Sequence, residues 1–238
     1  MSLFPCAVVD GDQSPAAGML AAALDPTLRV ISGANVSLVI CEPAGESPDP
    51  RDMIRWIAEF HRVLDIVPMQ FGDCIAGEAE AHDLLARRSS QLQATLDSIR
   101  GKTEFGIRLT IPARSDLPGD ANRATQTAAQ STAKPLKPGS DYLRSRASHY
   151  ATEDGIPVGL ATRVQAWLAG FDVPQMRARL EGPSSVSEHP AIYVLIPRQS
   201  ADGFIDQYDK LAPALGIQSS LTGPWAPFNF VRGIDANG

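Results

Sequence analysis

The sequence has few cysteines, which limits how the fold is held together. Of its 238 residues only three are cysteines, Cys6, Cys41 and Cys74, and no two of them form a CxxC pair. Three cysteines cannot build an even disulfide framework, and each lies in an apolar run, which favours buried free thiols in a reducing compartment. A chain of this length can bury a stable core without disulfides or a structural metal.

Positive charge and long apolar runs are scarce as well. Lys and Arg number 21 against 27 Asp and Glu, which gives a formal net charge of -6. A general nucleic-acid-binding protein needs cationic surface to displace counterions from phosphates, so nucleic acid is not expected as a partner. No apolar run approaches the roughly 18 residues that cross a bilayer. The first residues also lack the basic and apolar regions of a secretory signal. We expect a soluble cytoplasmic protein without a membrane partner.

Motifs for catalysis and cofactor binding are missing from the sequence too. It contains no GxGxxG and no GxSxG nucleophile elbow. The histidines, His61, His82, His149 and His189, are widely separated and show neither HxxxH nor HExxH spacing. The sequence therefore predicts no catalytic residue, no cofactor and no metal site. A Cys–His pair assembled by the fold, such as Cys74 with His61, stays open.

Local patterns predict strands and helices through the first half of the chain. Two β-branched runs, 28–32 and 36–41, are separated by Gly33-Ala34-Asn35, which is typical of a hairpin. Asp49-Pro50 offers a helix N-cap followed by proline in the first turn, and apolar residues recur at helical spacing from Met53 to Leu64. We also predict a strand at 4–9, an edge strand with Pro68 at 66–71, a helix at 78–100 and a strand at 103–111.

Composition changes at residues 112–140, which contain four prolines and almost no large apolar residue. This stretch is typical of a linker or mobile loop. It divides an N-terminal α+β domain at 1–111 from a C-terminal domain at 141–238. In the latter we predict helices at 141–153, 158–169 and 201–215 and strands at 191–196 and 217–222, with no clear pattern at 171–180. The fold class predicted is α+β, in two small domains. Each domain is a short sheet covered by helices on one face, the C-terminal one a modified ferredoxin-like arrangement.

Two segments combine proline with large aromatic residues, Val67–Gly72 and Leu221–Val231. In the second, Pro224 and Pro227 fix the backbone φ angle at two points and stiffen the chain. Trp225, Phe228 and Phe230 then project apolar rings from a stiff segment. Two interpretations stay open: the rings close a core, or they present an aromatic surface to an apolar partner at low entropic cost.

These segments resemble the GvpF/GvpL family of gas vesicle accessory proteins. Pro68, Phe71 and Gly72 match a P-x-x-F-G strand of that family, and Gly101-Lys102-Thr103-Glu104 matches a G-K-x-E strand entry. Gly139–Arg146 matches a G-x-x-Y-L-x-x-R helix start. Leu221–Phe230 matches a closing L-T-G-P-W-P-P-Y-x-F, with Ala226 in place of one proline and Phe228 in place of the tyrosine.

The resemblance implies a non-enzymatic accessory protein of gas vesicles. Such a protein would bind the hydrophobic shell protein, and other gas vesicle accessory proteins, during nucleation or assembly, would limit premature aggregation, and would be a minor vesicle component. The motif residues are the candidate partner-binding set: Pro68, Phe71, Gly72, Gly223, Pro224, Trp225, Pro227, Phe228 and Phe230. The alternative is a small-molecule-binding or catalytic α+β domain that shares the scaffold, since fold does not fix function.

Overall fold

The computed structural model describes residues 2–45, 47–110, 156, 159–182 and 189–231. The predicted linker, the helix predicted at 141–153 and the motif at Gly139–Arg146 lie outside the described residues. The elements in chain order are β1 (Phe4–Asp10), α1 (Ser14–Leu24), β2 (Leu28–Ser32), β3 (Val36–Cys41), α2 (Pro50–Val63), β4 (Ile66–Pro68), α3 (Glu78–Ile99), β5 (Lys102–Thr110), α4 (Leu160–Leu168), β6 (Arg177–Glu181), β7 (Ala191–Pro197), α5 (Ala201–Leu211) and β8 (Gln218–Trp225).

The first sheet has the strand order β2-β3-β1-β4 with antiparallel pairing throughout. Successive side chains of a strand point to opposite faces, and in β1 and β3 both faces are apolar. Val8 and Leu38 pack on α3, and we call this group the α3 cluster. Val9 and Val39 pack on α1 and α2 in the α1–α2 cluster. The sheet is thus covered by helices on both faces.

The second sheet has the order β6-β7-β5-β8 and is also antiparallel. One face carries Phe105, Ile107 and Leu109 of β5 against α4 and α5, in what we call the second-sheet cluster. The opposite face is mostly polar. It includes Arg108, which is exposed, and Glu104, which is buried at the junction with the first sheet.

Local sequence explains where the helices begin and end. The Asp49 side chain accepts a hydrogen bond from the Arg51 backbone N–H at 2.8 Å, with Pro50 in the first turn of α2, as predicted. Helix α3 ends at Ile99, and Gly101 adopts a left-handed φ of 66°, which glycine tolerates best. No helix among the described residues is both long and apolar enough to cross a membrane.

The α+β prediction is confirmed, with corrections in detail. The first sheet is covered on two faces and not one, because its central strands β1 and β3 carry apolar residues on both faces. The predicted edge strand ends at Pro68 instead of Phe71. Strand β6 falls partly in the region without a clear pattern, because an exposed edge strand of sequence RARLE shows no apolar alternation. Cys6 and Cys41 are buried as expected, but Cys74 is exposed.

Strand β5 lies in the second sheet, although the predicted N-terminal domain at 1–111 includes it. It pairs with β7 on one side and with β8 on the other, so the change of sheet falls at Gly101. Strand pairing between residues far apart in the chain cannot be recognised from local composition. The proline-rich stretch, in contrast, differs clearly in composition, and for this reason it was predicted as the boundary between the domains. The division into domains at 1–111, 112–140 and 141–238 stays a prediction, and the ferredoxin-like detail is not confirmed.

Candidate functional site

Residues 221–231, here called the closing segment, join the two sheets. The first part belongs to β8 and pairs with β5, with a register shift between Glu104 and Gly106. Beyond the strand, Ala226 and Phe228 pack into the α1–α2 cluster. Phe230 and Val231 then pack into the α3 cluster on the other face of the first sheet. The closing segment therefore contacts both helical layers of the first sheet while it is hydrogen-bonded to the second.

Gly223 allows the closing segment to approach β5 closely. Its φ of 123° is in the region that L side chains rarely adopt. A Cβ atom at this position would lie 2.9 Å from the Glu104 carbonyl oxygen and 3.0 Å from Cδ1 of Phe105. The glycine of the family motif is therefore required by backbone geometry.

A buried carboxylate fixes the end of the closing segment. Glu104 is 2% exposed, and its Oε2 accepts a hydrogen bond from the Asn229 backbone N–H at 2.8 Å. The Asn229 side-chain amide donates to Oε1 of the same carboxylate. Two donors from one residue compensate part of the cost of burying this charge. The contact accounts for the glutamate of the G-K-x-E motif.

A hydrogen-bonded relay connects α2 to the second sheet beside the closing segment. Arg198 Nη2 donates to His61 Nδ1 at 3.1 Å and to the Leu64 carbonyl oxygen at 2.7 Å, and lies 3.1 Å from Asp65 Oδ1. His61 Nε2 lies 3.3 Å from Thr103 Oγ1, which donates to the Trp225 carbonyl oxygen at 3.0 Å. Because Nδ1 accepts from Arg198, the proton of neutral His61 resides on Nε2.

The relay holds His61 in its neutral form. Burial, followed by the positive charge of Arg198, lowers the pKa of His61 to about 4, although Asp65 acts in the opposite direction. Both ring nitrogens are occupied by Thr103 and Arg198, so the structure does not pair His61 with Cys74. Burial raises the pKa of Cys6 to about 12, so its thiol is not activated.

The predicted aromatic residues divide between core and surface. Phe228 and Phe230 are half-buried, while Trp225 is 43% exposed. Phe71, from the other family motif, is 36% exposed, and its ring centroid lies 5.7 Å from that of Phe228. The two motifs thus meet in space through an aromatic pair. The core-closing interpretation holds for Phe228 and Phe230, whereas a partner-binding role for the exposed Trp225 stays a prediction.

The remaining motif residues shape the backbone. Pro68 is buried in β4 opposite Ala7, and Pro227 is buried at the end of the closing segment. Gly72 is exposed with a φ of 90°, which turns the chain directly after Phe71. Pro224 lines a cleft between the two sheets. Within the described ranges no group of three or more potential metal ligands occurs.

Most polar residues of the junction carry no recognisable signal in the sequence. Arg198 and Asn229 lie far from their partners in the chain and belong to no motif with a recognisable spacing. Thr103 and Glu104 are marked in the sequence only by the G-K-x-E motif. His61 lies on the flank of an apolar helical stripe, and a histidine at such a position is the one signal that could have indicated a buried polar contact.

Comparisons with known proteins agree on one family. The family model described as gas vesicle synthesis protein GvpL/GvpF matches residues 7–232. Gas vesicle protein L of Streptomyces sp. (strain CB03234) is 26% identical over 194 residues, which cover 74% of this chain and 70% of that protein.

The fold is similar to two crystal structures of the gas vesicle protein GvpF. The structure from Microcystis aeruginosa superposes with a TM-score of 0.67 at 13% identity and covers 97% of this chain and 99% of that one. The structure from Anabaena sp. PCC7120 gives a TM-score of 0.62 at 12% identity, with 97% and 98% coverage. At these identities the likeness establishes the fold alone.

Proposed function

The chain belongs to the gas vesicle synthesis protein GvpL/GvpF family, and from that membership we propose that it binds the hydrophobic gas vesicle shell protein during nucleation or assembly. In this role it keeps an apolar subunit from aggregating before the shell forms, and other accessory proteins of the vesicle are further partners. The role involves no bond-making step. In this proposal the protein is cytoplasmic and associates with gas vesicles as a minor component.

The observation that supports this proposal is the exposure of two aromatic rings that belong to the family motifs. Large apolar side chains are mostly buried, and the exposed ones in the described residues are Met19, Ile54, Val63, Phe71 and Trp225. Scattered single apolar residues on a surface are ordinary. Two of these five, however, come from the motifs, and they are the aromatic ones.

The way these rings are held favours recognition. Phe71 is supported by Phe228, whose other contacts lie in the α1–α2 cluster. Trp225 is fixed by its backbone, because its carbonyl oxygen accepts from Thr103 and the residue pairs with Glu104 of β5. Aromatic residues with few rotatable bonds on a rigid backbone lose little entropy on binding. Tryptophan is also enriched among residues that dominate binding energy.

Co-purification with the shell protein tests the proposal. The full chain, carrying an affinity tag, is co-expressed with the shell protein, and the captured shell protein is quantified. Trp225→Ala should reduce capture about tenfold or more, as expected for a central aromatic contact. Met19→Ala removes a more exposed apolar side chain outside the motifs and should leave capture unchanged.

A stability measurement separates loss of binding from loss of fold. The Trp225→Ala variant should keep a thermal midpoint within a few degrees of the parent protein, because Trp225 is exposed and belongs to none of the three core clusters. Equal capture by the parent and Trp225→Ala proteins would contradict the proposed surface. Vesicles that form normally in cells lacking this protein, while the rest of the vesicle-forming set is present, would contradict the function.

A further inference from the structure

A cleft lies between the two sheets, beside the relay and the closing segment, and the proposed function does not use it. Its volume is about 360 Å³, within the range of small-molecule sites, which are common where two parts of a fold meet. Helix α2, β5, the start of α5 and the closing segment all contribute to its walls. The lining residues are Ala58, His61, Arg62, Thr103, Arg198, Ala201, Pro224 and Ala226.

Small apolar side chains make one part of this cleft. Ala58 and Ala201 come from helices of different sheets, and Ala226 and Pro224 come from the closing segment. Three alanines where the two sheets meet leave space that larger side chains would fill. The wall they form offers no charged group, so it suits an apolar ligand body.

Two arginines make the charged part of the lining. The described lining contains Arg62 and Arg198 and no carboxylate. Arg62 is at the rim, 73% exposed, and is paired with Glu59 at 3.0 Å. Arg198 is 32% exposed and is held at a single terminal nitrogen, Nη2, by His61, Leu64 and Asp65.

The way Arg198 is held leaves hydrogen-bonding capacity unused. Its Nε is buried and has no hydrogen-bond partner among the described residues, and all three contacts of the side chain are made by Nη2. A guanidinium offers five N–H donors in a rigid planar fork. Since His61, Leu64 and Asp65 hold Nη2 in place, the guanidinium is positioned before any ligand arrives, and a carboxylate is the acceptor that matches its remaining donors.

From these features we propose that the cleft binds a small organic carboxylate with an apolar body, with Arg198 contacting the carboxylate and Ala58, Ala201 and Ala226 contacting the apolar part. Neutral His61 adds no charge but holds the guanidinium in place. This site differs from the surface that Phe71 and Trp225 form, and it does not depend on the proposed binding of the shell protein.

Titration of octanoate into the full chain, followed by calorimetry, tests the site. Octanoate should bind saturably with one site per chain, and 1-octanol, which has the same chain length and no charge, should bind at least about tenfold more weakly. Ala58→Leu fills the cleft without disturbing helix propensity and should weaken octanoate binding about tenfold or more. Ala86→Leu, the same change at an exposed position of α3, is the matched control and should have no effect.

Two further variants keep the outcome unambiguous. Arg198→Gln should abolish the preference for octanoate over octanol; if that variant does not fold, Ala58→Leu alone decides. Phe71→Ala should leave octanoate binding unchanged, since Phe71 does not line the cleft. Absence of saturable binding, equal affinity for octanoate and octanol, or full binding by Ala58→Leu would each overturn the site. None of these outcomes bears on capture of the shell protein.

Discussion

The two sheets of this protein use the same antiparallel pairing but bury different amounts of their surface. In the first sheet, neighbouring residues of β3 such as Val39 and Ile40 are both fully buried, one against α1 and α2 and the other against α3. In the second, Leu109 of β5 is buried and the neighbouring Arg108 is exposed. The first sheet is a central layer, whereas the second buries one face against helices and its other face only near the junction, where Leu195 joins the α3 cluster.

The sequences of the strands reflect this difference in burial. Continuous apolar runs such as FPCAVV in β1 are usually associated with parallel sheets, because those sheets are buried on both faces. Here the same pattern occurs in an antiparallel sheet, since helices cover both of its faces. An uninterrupted apolar strand therefore indicates burial on two sides, whatever its pairing direction.

Paired truncations should give the largest effects and test this comparison directly. Ile40→Ala should lower the free energy of unfolding by about 3 kcal/mol and Val39→Ala by about 2 kcal/mol, because each removes buried methyl groups and leaves a cavity. In the second sheet Leu109→Ala should cost about 3 kcal/mol, while Arg108→Ala should stay within about 0.5 kcal/mol.

Urea unfolding of the four variants provides the measurement, with the slope of free energy against urea concentration checked for constancy. A loss of 2 kcal/mol or so for Arg108→Ala would mean that the polar face of the second sheet is covered more than the described residues indicate. A negligible loss for Val39→Ala would contradict two-sided burial of the first sheet.

The parts of the fold that were predicted from sequence are those with local causes. The hairpin of β2 and β3 and helix α2 follow from β-branched runs, loop residues and an N-cap, and their bounds agree with the structure. The placement of β5 in the second sheet was not accessible, because it is decided by pairing with β7 and β8.

The candidate site likewise contains residues that could be predicted from the sequence and residues that could not. The family motifs led to Phe71 and Trp225, since rings on proline-stiffened segments are visible in a sequence. They did not lead to the relay, because Arg198 is 137 residues from His61 and the two become partners only when the sheets meet. A lone histidine flanking an apolar helical stripe carries too little information to identify that partner.

Acid should weaken the junction between the sheets before it affects either core. The pKa of His61 is about 4 in the folded protein, below its ordinary value of 6.5, so between these values the unfolded chain binds more protons. The free energy of unfolding therefore falls as the pH is lowered through this window, by about 2 kcal/mol between pH 7 and pH 4.5. Asp10 and Asp25, whose carboxyl pKa values are lowered from 3.8, act mainly below this range.

Urea unfolding at pH 7 and pH 4.5 measures this effect, and His61→Gln isolates it. Glutamine can accept from Arg198 and donate to Thr103 without titrating, so the variant should lose most of the dependence on pH. His82→Gln, at an exposed position of α3, is the control and should retain it. A parent protein equally stable at both values of pH would show that His61 binds its proton as readily in the folded protein as in the unfolded chain, which would contradict the lowered pKa.

The smallest effect is expected on the polar face of the second sheet, where it meets the first. Arg177 of β6 lies opposite Leu195, and its guanidinium carbon is 5.4 Å from the centroid of the Phe230 ring. Such a cation–π contact near solvent contributes about 0.5–1 kcal/mol, so Arg177→Ala should lower the free energy of unfolding by that amount. Arg163→Ala, at an exposed position of α4, should have no measurable effect. A double-mutant cycle with Phe230→Leu measures the coupling energy between Arg177 and Phe230. A coupling energy near zero would contradict a stabilising contact between this face and the closing segment.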